Sequence, residues 1–433
     1  MFFDLIFVTL SGILVGMLAG LLPALPVFTG PLILYYFVSD YYPVHYLLIF
    51  WLVSYSGTQF FGSIATITTR IPGEESAAIY LQDIDNLTLD QKRNLLYDTA
   101  LGSYIAATLS LVFVWIIVSY YGINFFPELM SMNVQIIVYG LAVLLLFFIQ
   151  PKKWIFTLLL IIVGITIGPK QNYALPDLWY NIQQTFNGYT LYMIVLGVII
   201  FPTLFDSTQK ISKVETFGKV TNRGYSILTG LRSTLIGVVA GLIPGPSASV
   251  ATAFAYRTGG SSSYRRILNA ETANNSAVVT CALPFFLLGL PINQNTLLMS
   301  NIMDVQSLDI VNAILEPVVL GLTVFDIVIA TSLFAMVIYF WLSTHLIDLY
   351  TRLVQKLHHR MPWIVGLLLL SLVALDLQYA EIGLFRYSVL LLVLTLFGFA
   401  LRRLKVNAIP FLFSVILADR IIWLGIQYIN IYF

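Results

Sequence analysis

Long apolar runs separated by short polar links fill the chain. They lie at about 5–22, 27–38, 44–69, 99–121, 133–149, 154–168, 189–205, 225–243, 247–256, 271–291, 311–341, 363–380, 384–401 and 407–430. A bilayer core about 30 Å thick takes roughly 20 apolar residues per helical crossing, so the longer runs can span a membrane and the shorter ones cannot do so alone. In lipid every backbone amide must find its partner within the segment or within the protein, so runs of this kind are read as helices. A membrane barrel would alternate apolar and polar residues instead. The fold class this predicts is an all-α polytopic membrane protein.

Several runs are interrupted by proline and glycine, and the interruptions repeat. Gly16-Met17-Leu18-Ala19-Gly20-Leu21-Leu22-Pro23 recurs as Gly237-Val238-Val239-Ala240-Gly241-Leu242-Ile243-Pro244, at an offset of 221. Gly-x-x-x-Gly alone is a common packing pattern of membrane helices. A second break stays in register, however: Ile71-Pro72-Gly73 and Leu290-Pro291-Ile292 stand 219 apart. Two breaks kept in register point to duplication. One repeat covers 1–205, with a hairpin at 5–38 and a broken helix at 44–82; the other covers 206–433, with a hairpin at 225–256 and a broken helix at 271–303.

Positive charge orients the copies, because lysine and arginine collect on the cytoplasmic side. Ahead of the first break, copy 2 is basic (Lys210, Lys213, Lys219, Arg223) where residues 1–4 of copy 1 carry no Lys or Arg. Between the breaks, copy 2 has Arg257, Arg265 and Arg266 where copy 1 has Ser39-Asp40-Tyr41-Tyr42-Pro43; after the second break the bias reverses, with Lys92 and Arg93 in copy 1 and no basic residue at 293–310. The pattern therefore sits upside down in the second copy, with both termini outside. Inverted-topology repeats with helices broken near the midplane are the construction of secondary transporters, whose sites lie where the breaks meet.

Composition acts mainly by exclusion. The 433 residues are 59% hydrophobic and 10% charged, with mean hydropathy +0.88, against roughly 25% charged residues in soluble domains. A net charge of +1 excludes the concentrated basic face of a nucleic-acid partner. The single cysteine, Cys281, excludes an internal disulfide and a cysteine metal cluster. Met1-Phe2-Phe3-Asp4 lacks the basic region of a signal peptide and is read as mature protein. The serine in Gly245-Pro246-Ser247-Ala248-Ser249 does not fit a nucleophile elbow, and no His-Glu-x-x-His or phosphate-cradling loop occurs, so no enzyme is expected.

Gly241-Leu242-Ile243-Pro244-Gly245, Glu271-Thr272-Ala273-Asn274-Asn275-Ser276-Ala277 and Leu288-Gly289-Leu290-Pro291 resemble the large membrane subunit of the tripartite tricarboxylate transporters, the TctA family. So does Gly62-Ser63-Ile64 leading to Ile71-Pro72-Gly73-Glu74. The resemblance implies ion-gradient-driven uptake of carboxylates together with a small membrane subunit and a periplasmic binding protein. The chain departs from the family at Pro23-Ala24-Leu25-Pro26 and at Pro291-Ile292, where Pro-Gly is usual.

A carboxylate in the membrane must be given donors in place of water, and broken helices offer their amino-terminal amides. Substrate-binding positions are therefore expected at the tips and just after them: Pro23, Ala24, Thr29, Pro244, Gly245, Ser247, Ser249 and Asn293, joined by Thr58, Gln59, Gly62 and Ser63. Serine and threonine in membrane helices also commonly bond back to their own turn, which is the competing reading. Asn274 and Asn275 either cap a helix, with Glu271, or supply oxygens to a cation; the copy 1 counterpart Tyr55-Ser56-Gly57-Thr58-Gln59 is also polar. Cation-binding positions are placed at Gly57, Thr58, Glu271, Asn274 and Asn275, with no metal beyond sodium and no cofactor. Asp326, inside an apolar run, is a functional candidate by default.

The sequence thus describes a secondary transporter of the inner membrane that imports a di- or tricarboxylate with Na+ or H+ by alternating access. A passive anion channel or an intramembrane enzyme are the alternatives. Its apolar surface is compatible with a homodimer.

Overall fold

The computed structural model describes residues 2–22, 42–69, 75–122, 132–149, 151–168, 193–194, 196–202, 227–243, 247–288, 292–293, 295–296, 299, 314–319, 321–357, 366–367, 370–371, 373–374, 377 and 383–432. In chain order the helices are α1 (Phe2–Leu21), α2 (Val44–Thr69), a 3-10 segment (Glu75–Tyr80), α3 (Leu81–Asp85), α4 (Leu89–Ile116), α5 (Met132–Ile149), α6 (Trp154–Ile167), α7 (Ile227–Gly241), α8 (Ser247–Thr258), α9 (Ser263–Thr280), α10 (Ala282–Leu288), α11 (Val324–Leu357), α12 (Leu384–Arg403) and α13 (Ile409–Tyr432). Among the described residues five helices are long and apolar enough to cross a membrane: Phe3–Leu21, Val44–Thr68, Leu89–Tyr120, Val324–Leu349 and Leu384–Arg403. The chain is an all-α polytopic membrane protein.

Local chemistry sets several helix starts. Thr88 and Gln91 form a capping box, each side chain accepting from the other's backbone amide, and so α4 begins ten residues before its apolar run. Ser262 caps α9. Asp326, a functional candidate from sequence, closes a capping box with Thr323 at the start of α11 and accepts the indole N–H of Trp115 at 2.8 Å, so its place is structural. The sequence reading foresaw no strand, but a short antiparallel ribbon, β1 (Pro317–Val319) with β2 (Leu322–Thr323), precedes that helix. Gly321 between the strands has a φ of +79°, a conformation in which glycine spares the ribbon a strained side chain.

Two helix pairs share one packing register. A side-chain carbon at Gly16 would lie 2.6 Å from the Ser54 carbonyl and 3.0 Å from Gly57, and one at Gly20 would lie 2.5 Å from the Thr58 carbonyl and 2.8 Å from Phe61. In the second pair Gly237 faces Ala273 and Ser276, while Gly241 faces Ala277 and Thr280 at 2.8 Å. Glycines 221 apart thus meet partners 219 apart, the offsets of the two sequence breaks. Small residues let the backbones touch, which is how helices adhere where lipid offers no hydrophobic drive. In both pairs residue numbers rise together, so α1 runs parallel to α2 and α7 parallel to α9.

The pairs themselves run in opposite directions. Trp51, near the start of α2, meets Phe285 just beyond the end of α9 at 6.0 Å between ring centroids. Tyr80 and Asp83, which follow the end of α2, bond Glu271 and the start of α9. Helix α4 lies along α9, joined by Asp98–Tyr264, Ser103–Asn275 and Ser110–Ser276. Helix α11 lies along α2, where Tyr339 donates to the Val53 carbonyl at 2.8 Å and fills the space that Gly57 leaves open. Each pair is therefore clasped by the long helix belonging to the other half of the chain. Two aromatic groups line these helices: Phe60 and Phe61 against Tyr339 between α2 and α11, and Trp51, Phe285, Phe286 and Phe325 in a row that links α2, α10 and the start of α11.

Candidate functional site

Helix α9 is buried without interruption from Ile267 to Thr280, although seven of those residues are polar: Asn269, Glu271, Thr272, Asn274, Asn275, Ser276 and Thr280. A helix so polar is not buried for the sake of its side chains, so its neighbours must satisfy them. Asn275 donates to Ser103 Oγ at 2.9 Å and to the Glu271 carbonyl at 3.0 Å. Ser276 Oγ lies 2.8 Å from Ser110 Oγ and donates to the Thr234 carbonyl. The Glu271 carboxyl, 1% exposed, accepts the Tyr80 hydroxyl. Asn274 and Asn275 sit in the second half of the helix, not at its start, so the capping alternative raised from sequence falls away.

A second polar patch surrounds the interruption between α9 and α10. The buried Cys281 thiol donates to the Val278 carbonyl at 2.9 Å, back along its own helix. Asn293 Oδ1 accepts from the Thr296 amide at 2.9 Å, capping the turn that follows the second break. Among the described residues the buried Ser56 Oγ, Ser233 Oγ and Asn295 Oδ1 have no hydrogen-bond partner in the protein, and such atoms call for water, an ion or a ligand.

At the opposite end of α9, Asp83 gathers four donors. Arg266 Nε and Nη2 bond its two oxygens at 2.7 and 2.5 Å, Tyr256 donates at 2.9 Å and Ser263 at 3.0 Å. Burial alone would raise the Asp83 pKa; the hydrogen bonds from Arg266, Tyr256 and Ser263 outweigh it and hold the carboxyl below the usual range. The Arg266 guanidinium also stacks over the Tyr256 ring at 5.3 Å.

The positions expected from sequence divide accordingly. Glu271, Asn274 and Asn275 lie together on α9, and Gly57, Thr58, Gln59, Gly62 and Ser63 lie together on α2, all buried. Ser247 is buried and Ser249 half-buried in the first turn of α8. Thr58 and Ser63 donate back to the carbonyls of Ser54 and Phe60, the competing reading for membrane hydroxyls. Gly62 is buried, yet a side-chain carbon there would meet no atom within 4 Å. Pro23, Ala24, Thr29, Pro244 and Gly245 fall outside the described residues. Sequence reasoning passed over Tyr80, Asp83, Asp98, Ser103, Ser110 and Tyr264. One signal was available: Ser103 and Ser110, seven apart, fall on one face of α4.

A helical membrane interior lined this way, with buried carboxyl and amide groups at the meeting of two oppositely directed helix pairs, is that of a polytopic protein built around a polar seam. The chain belongs to the tripartite tricarboxylate transporter TctA family, whose model matches residues 6–413. A protein of Agrobacterium vitis, described as an uncharacterized 52.8 kDa protein in the TAR-I ttuC' 3' region, is 26% identical over 308 residues, 65% of this chain. The match spans 60% of the length of that relative. No solved structure matches the chain.

Proposed function

We propose that the chain is the large membrane subunit of a secondary transporter that imports a di- or tricarboxylate across the inner membrane, coupled to a sodium or proton gradient. The observation that carries this reading is the opposed setting of two helix pairs with identical glycine register around the buried polar helix α9. It supports an inverted duplication of 1–205 and 206–433, the architecture in which substrate sits between the halves and one group of helices moves against the other. Membership in a tripartite family favours a small membrane subunit and a periplasmic binding protein as partners.

In this reading the substrate lies against the α2 segment at Thr58, Gln59, Gly62 and Ser63, where the Gln59 amide donates and the Thr58 and Ser63 hydroxyls exchange their own-turn carbonyls for substrate oxygens, and it meets the α8 start at Ser247 and Ser249, and Asn293. The tips at Pro23, Ala24, Thr29, Pro244 and Gly245 complete the set. The coupling ion belongs near Gly57, Thr58, Glu271, Asn274 and Asn275. Both termini face the outside.

Uptake of labelled succinate, malate and citrate into proteoliposomes, with the small subunit and binding protein supplied, tests it. Accumulation under an imposed ion gradient and exchange of external label for internal unlabelled substrate are expected, and Asn274→Ala, inserted normally, should lose both. Flux without exchange would indicate a channel; no carboxylate movement under any gradient would overturn the reading.

A further inference from the structure

At two places near the helix ends a basic residue is answered by an acid. Arg93 pairs with Asp348 at 2.8 Å and Arg266 with Asp83 at 2.5 Å. A third basic group is built differently. Lys152 and Lys153 precede α6, Arg402 and Arg403 end α12, and Lys405 follows it. The Lys153 ammonium joins the two stretches by donating to the Leu404 and Lys405 carbonyls, the latter at 2.9 Å. No aspartate or glutamate occurs at 129–176 or at 382–418, so neither stretch carries an acid of its own.

The turn that holds Lys405 is specific in its geometry. The Lys405 amide donates to the Arg402 carbonyl at 2.9 Å and the Val406 amide to the Leu401 carbonyl at 2.8 Å, which closes α12 in a Schellman motif. Lys405 takes the left-handed position of that motif, with a φ of +53°, where glycine is the favoured residue. Among the described residues it is the one non-glycine residue with a positive φ. The chain thus accepts a backbone cost at this turn and keeps an exposed cation there.

The neighbours of the group set its level in the membrane. Helix α12 is an apolar span that ends at Arg403, and the exposed Trp154 opens α6 at the same end. Tryptophan and basic side chains settle where hydrocarbon meets water. Inward from that level both helices expose apolar side chains, Ile155 and Leu159 on α6 and Leu392 and Leu396 on α12. Leu396 stands seven residues before Arg403 and so shares its face of the helix.

From this arrangement we infer that the junction of α6 and α12 binds the headgroup of an anionic phospholipid. Lys152, Arg403 and Lys405 meet its phosphate, and Lys153 holds the two helix ends together. Phosphate oxygens accept charge-assisted hydrogen bonds from ammonium and guanidinium groups, and basic residues gathered at a membrane boundary recognise anionic headgroups in this way. A soluble anion would satisfy the cations alone. A phospholipid also lays its acyl chains over the apolar side chains beneath them, and that combination selects lipid. The inference is independent of the transport reading.

The test is the melting temperature of the delipidated full chain in a neutral detergent, titrated with phosphatidylglycerol, with phosphatidylcholine of the same acyl chains, or with inorganic phosphate. Phosphatidylglycerol should raise it saturably, and the other two should not. Lys152→Gln, Arg403→Gln and Lys405→Gly should each weaken the apparent affinity about fivefold, with further weakening at high salt. Lys405→Gly separates binding from folding, because glycine suits a φ of +53° and the lipid-free melting temperature should hold or rise. Arg257→Gln combined with Arg265→Gln removes two exposed cations from the α8–α9 turn and should leave the affinity unchanged. An equal response to phosphatidylcholine would reduce the face to ordinary lipid contact, an equal response to phosphate would make it a site for free anions, and an equal loss in the Arg257 and Arg265 variant would make it diffuse charge attraction. Each of these results overturns the assignment, as does no response to phosphatidylglycerol or undiminished affinity when Lys152→Gln, Arg403→Gln and Lys405→Gly are combined.

Discussion

Arg266 reaches both oxygens of Asp83 with two nitrogens of its guanidinium fork, at 2.7 and 2.5 Å, and so ties the start of α9 to the short helix that follows the first half's break. The side chain of Asp83 is 6% exposed and that of Arg266 25%, which makes this a sheltered pair at the rim of the seam. Its geometry is bidentate, the strong form of arginine–carboxylate contact.

That pair makes stability depend on acid. The Asp83 pKa is lower in the folded protein than in the unfolded chain, where aspartate titrates near about 3.9. Its contribution is therefore fully present above about pH 4 and is lost as pH falls through the folded-state value. Melting temperature in detergent should be flat from neutral pH down to that point and then fall. Arg266→Gln should lower it at neutral pH and shrink Asp83's share of the acid fall, because the folded-state pKa then rises toward the unfolded one; Asp83→Asn should remove that share.

The shared glycine register predicts matched costs in the two halves. Gly16→Ala and Gly237→Ala each drive a methyl group into a carbonyl of the facing helix, and overpacking of this kind costs about 1–3 kcal/mol. Chemical denaturation of the purified protein should show both losses, with Gly140→Ala, where the added carbon meets nothing within 4 Å, as the neutral control.

Gly62 offers the opposite experiment. Its buried position borders open space, so Gly62→Leu should fold with a melting temperature near that of the wild type and yet reduce carboxylate uptake severely. Unimpaired uptake in the well-folded variant would remove Gly62 from the substrate path.

The α4–α9 contacts can be measured pairwise. Asn275→Ala and Ser103→Ala each break a buried hydrogen bond and should cost about 1–3 kcal/mol, since each leaves a buried partner unsatisfied. The double variant should cost less than the sum, because the two residues spend their bonding capacity on each other.

The membrane class, the helix pairs and the polarity of α9 were legible because each is written locally: continuous apolar runs, glycines four apart, and Glu271, Asn274 and Asn275 in a stretch that would otherwise read as apolar. The role of Asp326 was not, since a carboxylate in an apolar run looks the same whether it binds a solute or closes a capping box, and only the Thr323 and Trp115 contacts decide. Nor was the Asp83 pairing, whose four donors lie more than 170 positions away in sequence. Spacing along one helix reveals a shared face; it carries no information about which distant segment will be laid against that face. Thr58 and Ser63 show the same limit from the other side, because their hydroxyls turn back on their own helix.

The glycine contacts of α1 on α2 and of α7 on α9 have a mechanical consequence. Backbone pressed on backbone has no layer of long, adaptable side chains to absorb a slide or a tilt, so each pair must travel as one stiff body. Were the halves to move against each other, the give would fall at the boundary between the pairs, where side chains rather than backbones meet: hydroxyl to carboxyl at Tyr80 and Glu271, and the Arg266 fork on Asp83 at its rim.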